Sequence, residues 1–255
     1  MVCDTTPDFT EKGNKRRITM HRIVKMCLKK FYLVPQAYIK LCHYAKHADK
    51  YPELVKYRHI QYIFQTAVKA GNIELKVSGQ ENIPKEGGFT LYSNHQGMFD
   101  VLAIPATCDQ PLGAILKKEL KDIPFLKQVI ACTKSFPIDR EDVRSSMEAI
   151  VSATKEVAAG RNYLIFPEGT RSKNGNQMRE FHAGSFKIAM KAKAPIVPVA
   201  LIDCYKVFDE KGCKPVSMQI HYLPVIPYEE YKDMKTPELA QMVHDRIEEC
   251  VKANT

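Results

Sequence analysis

The sequence predicts an α/β domain preceded by a basic helical segment, and three observations carry that expectation. Its 255 residues are 45% hydrophobic and 26% charged, which is ordinary globular composition and argues against disorder or low complexity. From Gly71 onward, short runs of β-type residues alternate with stretches of helical period, the pattern of an α/β fold. The charge is uneven: residues 1–70 hold 14 Lys and Arg against 5 Asp and Glu, residues 71–255 hold 24 of each, and the net +9 therefore belongs to the first part. Two regions follow, a basic helical one over 1–70 and a neutral α/β one over 71–255.

In the basic region, Arg22, Lys25, Lys29 and Lys30 interleave with Ile18, Ile23, Val24, Met26, Leu28, Phe31, Tyr32 and Leu33. This resembles a basic amphipathic helix with an aromatic-rich apolar side, interrupted or kinked by Pro35. Further helices are expected over about 36–46 and 51–70. The second of these has Ile60, Ile63, Phe64, Ala67 and Val68 at helical spacing and is stopped by Gly71-Asn72. Such helices can dock on the body and also touch an anionic bilayer surface, because Lys and Arg stems lie along apolar surface while their charges reach the headgroups. His43 and His47 have no third ligand close in sequence and are read as solvated or packed histidines, not metal ligands. There is no run of eighteen apolar residues, and the start, with Asp4, Asp8 and Glu11, does not read as a secretory signal, so a cytoplasmic location is expected.

Strands are expected at 73–78, 89–93, 112–116, 163–166, 196–202 and 218–222. Val143, Met147, Ile150, Val151, Thr154 and Val157 form one helical stripe ending at Gly160, and Phe186, Ile188 and Ala189 lie in another helix. Leu239, Met242, Val243, Ile247 and Val251 face one side of a closing helix over 237–251. The eight cysteines form no C-x-x-C pair or tight cluster and read as reduced, mostly buried small hydrophobes.

Two loops carry chemistry. Asn94-His95-Gln96-Gly97-Met98-Phe99-Asp100 follows an apolar strand and places a carboxylate five residues after a histidine, at a helix start. A hydrogen bond from one ring N–H to Asp100 fixes the tautomer and leaves the other nitrogen of His95 free to take a proton. Alone, H-x-x-x-x-D arises often by chance. The second loop, Phe166-Pro167-Glu168-Gly169-Thr170-Arg171-Ser172, also follows an apolar strand. Its Pro and Gly force a tight turn in which backbone N–H groups, the Thr170 and Ser172 hydroxyls and the Arg171 guanidinium can converge on an anion, phosphate above all. Two such loops at strand ends of one α/β sheet share a rim, where ligands bind.

These loops, with Phe136-Pro137-Ile138-Asp139-Arg140 and Ile196-Val197-Pro198-Val199-Ala200, resemble the four motifs of the glycerolipid acyltransferases. The chain looks like a bacterial-type 1-acylglycerol-3-phosphate acyltransferase from about Ile73 to Tyr222, including Lys117-Lys118-Glu119-Leu120. The resemblance implies a three-layer α/β/α sandwich around a mixed sheet, often with a helical element before it that lies on the membrane. It implies His95 as general base and Asp100 as its orienter, with direct attack on an acyl thioester and no acyl-enzyme. It implies a phosphate site of Arg171 with Lys117 and Arg140, in a loop shaped by Glu168, Gly169 and Thr170. Whether Lys117 or Lys118 faces inward is open.

The implied reaction moves a fatty acyl group from acyl carrier protein or coenzyme A to lysophosphatidic acid. It uses no metal or organic cofactor and no nucleic acid, and it takes place on the cytoplasmic face of the membrane. One departure stands out: the family commonly has Ser where this chain has Gly97. Two other readings of the same residues are a transacylase acting on another lysophospholipid and a non-catalytic module that binds anionic surfaces.

Overall fold

A computed structural model of the chain describes residues 22–139, 142–209 and 214–255. Of the basic helix expected before residue 33, the part before Arg22 lies outside the described residues, as does Arg140. Helix α1 covers 22–29, and Pro35 falls in the first turn of α2 (Val34–Lys46). An N–H is unpaired there in any helix, so the proline begins one helix and does not kink another. Helix α3 (Glu53–Ala70) starts after Pro52 and buries Tyr57, Ile60, Phe64 and Val68 at spacings of three and four.

Seven strands follow: β1 (Ile73–Ser78), β2 (Thr90–Ser93), β3 (Leu112–Lys117), β4 (Phe136–Ile138), β5 (Asn162–Ile165), β6 (Ile196–Ile202) and β7 (Val216–Tyr222). They form one sheet in the order β1-β7-β6-β2-β5-β3-β4. The five strands from β6 to β4 are parallel, β7 runs antiparallel to β6, and β1 pairs parallel with β7. One face carries α2, α3, α4 (Asp100–Thr107), α5 (Leu126–Thr133) and the one-turn helix α8 (Lys206–Asp209). The other carries α6 (Val143–Ala158), α7 (Lys187–Ala192), the one-turn α9 (Tyr228–Tyr231) and α10 (Thr236–Ala253). The expected three-layer sandwich around a mixed sheet is the fold, with the basic helices appended on one face. Strand β6 is buried throughout, sending Val197, Val199 and Leu201 to one face and Ile196, Ala200 and Ile202 to the other, as a strand covered on both sides does.

Two expectations need correcting. Strand β4 has only three residues, one of them Pro137, and lies at the sheet edge. Neither length nor alternation could signal it, and an edge is where a strand tolerates proline. The apolar stripe of α6 is rotated: Ala149, Ala153 and Val157 are buried, whereas Met147 and Val151 are exposed. Small residues bring this helix close to the sheet, and the larger ones point outward. Pro198 sits in an interior strand, where proline is uncommon. Its carbonyl accepts from Leu223 N–H just past the last β6–β7 pair, so the missing donor falls at the end of that ladder.

Helix α3 is tied to α4 by hydrogen bonds to carbonyls at the end of α4 that have no helical partner. Gln61 Nε2 donates to Cys108 O at 2.8 Å, Tyr57 Oη donates to the same carbonyl at 3.2 Å, and Gln65 Nε2 donates to Ala106 O at 2.9 Å. On the outer side of α1 and α2, Leu28, Phe31 and Ile39 are 67, 70 and 67% exposed. No helix among the described residues is long and apolar enough to cross a membrane.

Candidate active site

Strands β2 and β5 are parallel neighbours, so the loops at their C-terminal ends leave the sheet side by side, as the sequence predicts. The first is anchored by Asn94, whose side chain takes the place of a strand partner: its Nδ2 donates to Leu201 O at 2.9 Å and its Oδ1 accepts from Leu201 N–H at 2.8 Å. His95 comes next, its ring stacked on Phe166 with centroids 4.3 Å apart. His95 Nδ1 lies 2.7 Å from Asp100 Oδ2. The same oxygen accepts the Gln96 and Gly97 N–H groups at 2.6 and 3.0 Å. A carboxylate bonded to two N–H groups is an acceptor, so the proton between the pair sits on Nδ1, and Nε2 presents its lone pair. Asp100 is wholly buried and His95 partly exposed. The arrangement is an oriented base whose free nitrogen meets no side chain of its own chain among the described residues.

The second loop is locked to the first. Glu168 Oε1 accepts the His95 N–H at 2.9 Å, and Ser172 N–H donates to His95 O at 2.7 Å. Glu168 is buried, and burial pushes its pKa up to about 7 against the lowering effect of its bonds to the His95 and Arg179 N–H groups. It clamps the loop from inside. Gly169 has φ +67°, and a Cβ there would come within 3.0 Å of the His182 ring, so the turn requires glycine. Ser172 Oγ donates to Gln177 O at 2.6 Å, so this hydroxyl is used within the loop. Thr170 and Arg171 are exposed, and Arg171 makes no ion pair with the described residues.

Strand β3 runs parallel to β5, so Lys117, at its C-terminal end, stands on the same edge of the sheet one strand further along; it pairs with Glu119 at 2.7 Å, while Lys118 pairs with Asp139 at 2.9 Å. Arg140 lies outside the described residues. Asn94 stands inside a quoted motif, yet its bond to β6 was not foreseen, because nothing local reports a partner 107 positions away. Gly97 has a local reason: a Cβ there would meet the Tyr205 Cα at 3.2 Å.

The sandwich carries an oriented histidine beside an open Arg-bearing loop, and residues 74–202 match the family model described as Acyltransferase. The 1-acyl-sn-glycerol-3-phosphate acyltransferase of Borreliella burgdorferi is 32% identical over 177 residues, 69% of this chain and 70% of that one. The enzyme of the same name from Helicobacter pylori is 28% identical over 172 residues, 66% of this chain and 72% of that one. The chain belongs to the 1-acyl-sn-glycerol-3-phosphate acyltransferase family. Its fold matches the crystal structure of the 1-acyl-sn-glycerophosphate acyltransferase of Thermotoga maritima with a TM-score of 0.75 at 20% identity, covering 92% of this chain and 96% of that one. Membership makes the chain an enzyme, not a binding module.

Proposed function

We propose that this enzyme transfers a fatty acyl group from an acyl carrier protein or coenzyme A thioester to the free hydroxyl of 1-acylglycerol 3-phosphate, forming phosphatidic acid in phospholipid synthesis. The observation that carries the reading is His95, its Nδ1 tied to a buried carboxylate and its Nε2 free. The acceptor hydroxyl gives its proton to Nε2 as its oxygen attacks the thioester carbonyl. The tetrahedral intermediate then expels the thiolate, which takes the proton back from the imidazolium that Asp100 stabilises. Attack is direct in this scheme: the hydroxyl deprotonated by His95 is the acceptor's own, and no Ser or Cys among the described residues hydrogen-bonds to the His95 ring.

The acceptor phosphate sits on Arg171, whose planar fork suits a phosphate, with Thr170 beside it and with Glu168 and Gly169 holding the loop's shape from within. Lys117 and Arg140 are the candidates for further phosphate contact, Lys117 by release from Glu119. Base and anion site are protein groups, so the scheme calls on no metal or organic cofactor. The enzyme works as a peripheral protein on the cytoplasmic face of the membrane, resting on α1 and α2, where Lys25, Lys29 and Lys40 lie among the exposed apolar side chains.

The test is acyl transfer to lysophosphatidic acid by wild type and His95→Ala, with both thioester donors offered in parallel. Loss of kcat by about 10³-fold or more in a folded mutant is expected, since a positioned base contributes on the order of 10²- to 10⁴-fold and the mutant also loses the acid. A wild type inactive with both thioesters but active with a phospholipid ester as donor would replace this reading with the transacylase one. Full activity in His95→Ala would remove the base.

A further inference from the structure

Three neighbouring parallel strands, β6, β2 and β5, send their C-terminal loops to one rim, and one side chain outside every motif of the sequence ties the three together. Asn176 lies just past the Arg171 turn, half-buried. Its Oδ1 accepts the Asp203 N–H at 2.8 Å and the Gln96 Nε2–H at 2.8 Å, and its Nδ2 donates to Asp203 Oδ1 at 3.0 Å. Asp203 opens the turn after β6 with φ +62°, a left-handed conformation that Asp adopts more readily than most residues. The paired bonds from Asn176 brace it there, and the turn then aims the Cys204 N–H at Gln96 Oε1, 2.9 Å away.

Gln96 is therefore held at both ends of its amide. It is 2% exposed, so either end left unpaired would be costly, and the side chain has one place to be. Its backbone follows: the Gln96 N–H donates at 2.6 Å to Asp100 Oδ2, the oxygen that faces His95 Nδ1 at 2.7 Å. Through this single residue the brace ends on the orienting carboxylate. The Arg171 end of the same loop has other anchors, the bonds of Glu168 and Ser172 to the His95 backbone.

We infer that Asn176 is a positioning residue for the His95–Asp100 pair: by fixing the Asp203 turn and the Gln96 amide together, it holds the Gln96 N–H on Asp100 and so the angle at which His95 meets the acceptor hydroxyl. The inference rests on the proposed role of His95 as base. Asn176→Ala removes all three side-chain bonds. Asn176→Asp keeps an acceptor for Gln96 and the Asp203 N–H but sets a carboxylate against that of Asp203, and adding Asp203→Asn turns that contact back into a donor–acceptor pair with the roles exchanged.

Kinetics with lysophosphatidic acid and the active thioester, at a temperature well below the Tm of every variant, should show kcat about tenfold lower in Asn176→Ala and in Asn176→Asp. A displacement of about 1 Å at a catalytic group costs on the order of 10²-fold, and a loosened brace costs a fraction of that. KM for lysophosphatidic acid should stay within about twofold, because Arg171 keeps its anchors, and the double variant Asn176→Asp/Asp203→Asn should recover to within about threefold of wild-type kcat. Wild-type kcat in either single variant would overturn the inference. So would a loss carried by KM, or a double variant whose Tm recovers while its kcat does not, which is the mark of packing alone. Should the single variants fail to fold, Gln96→Met cuts the same brace at its other end, and an unchanged kcat there would be equally fatal. His95→Ala in the same assay separates the two ideas, since activity retained in that mutant removes the base itself, whatever the Asn176 variants do.

Discussion

The loops around His95 and the helices α1 and α2 treat polar and apolar groups in opposite ways. Around His95, Asn94, Gln96, Asp100 and Glu168 are polar and buried, each bonded to backbone on another element or across the loop. A polar group left unpaired inside costs about 1–3 kcal/mol, so this network is stable only in one arrangement, and that arrangement orients the base. On α1 and α2, apolar side chains stand exposed among lysines. Clustered apolar exposure in a folded protein marks a contact surface, and the lysines give that surface an anionic counterpart. A groove of about 630 Å³ between α2 and α3, lined by Leu33, Ala37, Lys40, Leu54, Val55 and Tyr62 among others, contains neither His95, Asp100 nor Arg171. On the proposed function, chemistry and surface attachment would thus be built from different materials in different places.

Separate perturbations should therefore separate the two functions. Reversing Lys25, Lys29 and Lys30 together to Glu should weaken binding to anionic vesicles at low salt by about 100-fold, at roughly 1 kcal/mol per basic residue near the surface, with little change on a short-chain, water-soluble acceptor. Unaltered sedimentation with vesicles would remove the membrane role of α1. Arg171→Ala is the converse: kcat/KM for lysophosphatidic acid should fall about thirtyfold, mostly through KM, as expected for a charge-assisted contact worth about 2 kcal/mol, while vesicle binding stays as in wild type. Equal kcat/KM in this mutant would move the phosphate elsewhere.

The smallest effect concerns the clamp. Glu168 titrates near 7 in the folded protein against about 4.3 unfolded. Between those values the folded state holds a proton that the unfolded state has released, so this group lowers stability as pH rises from about 4 to 7. Glu168→Gln keeps an oxygen for the His95 N–H and removes the titration. Its Tm should exceed that of wild type at pH 8 and converge with it at pH 4. A constant difference at both pH values would mean that Glu168 does not titrate there.

What the sequence made legible follows from range. His95 and Asp100 are five residues apart, the second loop is continuous, and both follow strands whose apolar character is local, so their meeting at one rim could be anticipated. The strands at 73–78 and 196–202 were placed at their observed bounds for the same reason. Strand β4 was too short to signal, and α6 showed its larger apolar residues on the wrong side because the sheet selects small ones. Which acidic group each of Lys117 and Lys118 faces was not legible: Glu119 is two residues from Lys117, yet only the fold shows that the two pair, and Asp139, the partner of Lys118, is 21 residues away. The Asp203–Tyr205 brace has no motif. Its meaning lies in what it faces.

The hydrogen bonds from α3 to the end of α4 have a consequence for how substrate is found. Asp100 is the first residue of α4, so a helix contiguous with the surface-seeking segment is fastened to the very rod that carries the orienting carboxylate. On the proposed function, with α1 and α2 resting on a bilayer, the tilt and height of His95 above the lipid plane would be set by the protein itself. A lysolipid arriving by lateral diffusion would then present its glycerol hydroxyl at a fixed depth, and the search for the reactive pose would become two-dimensional.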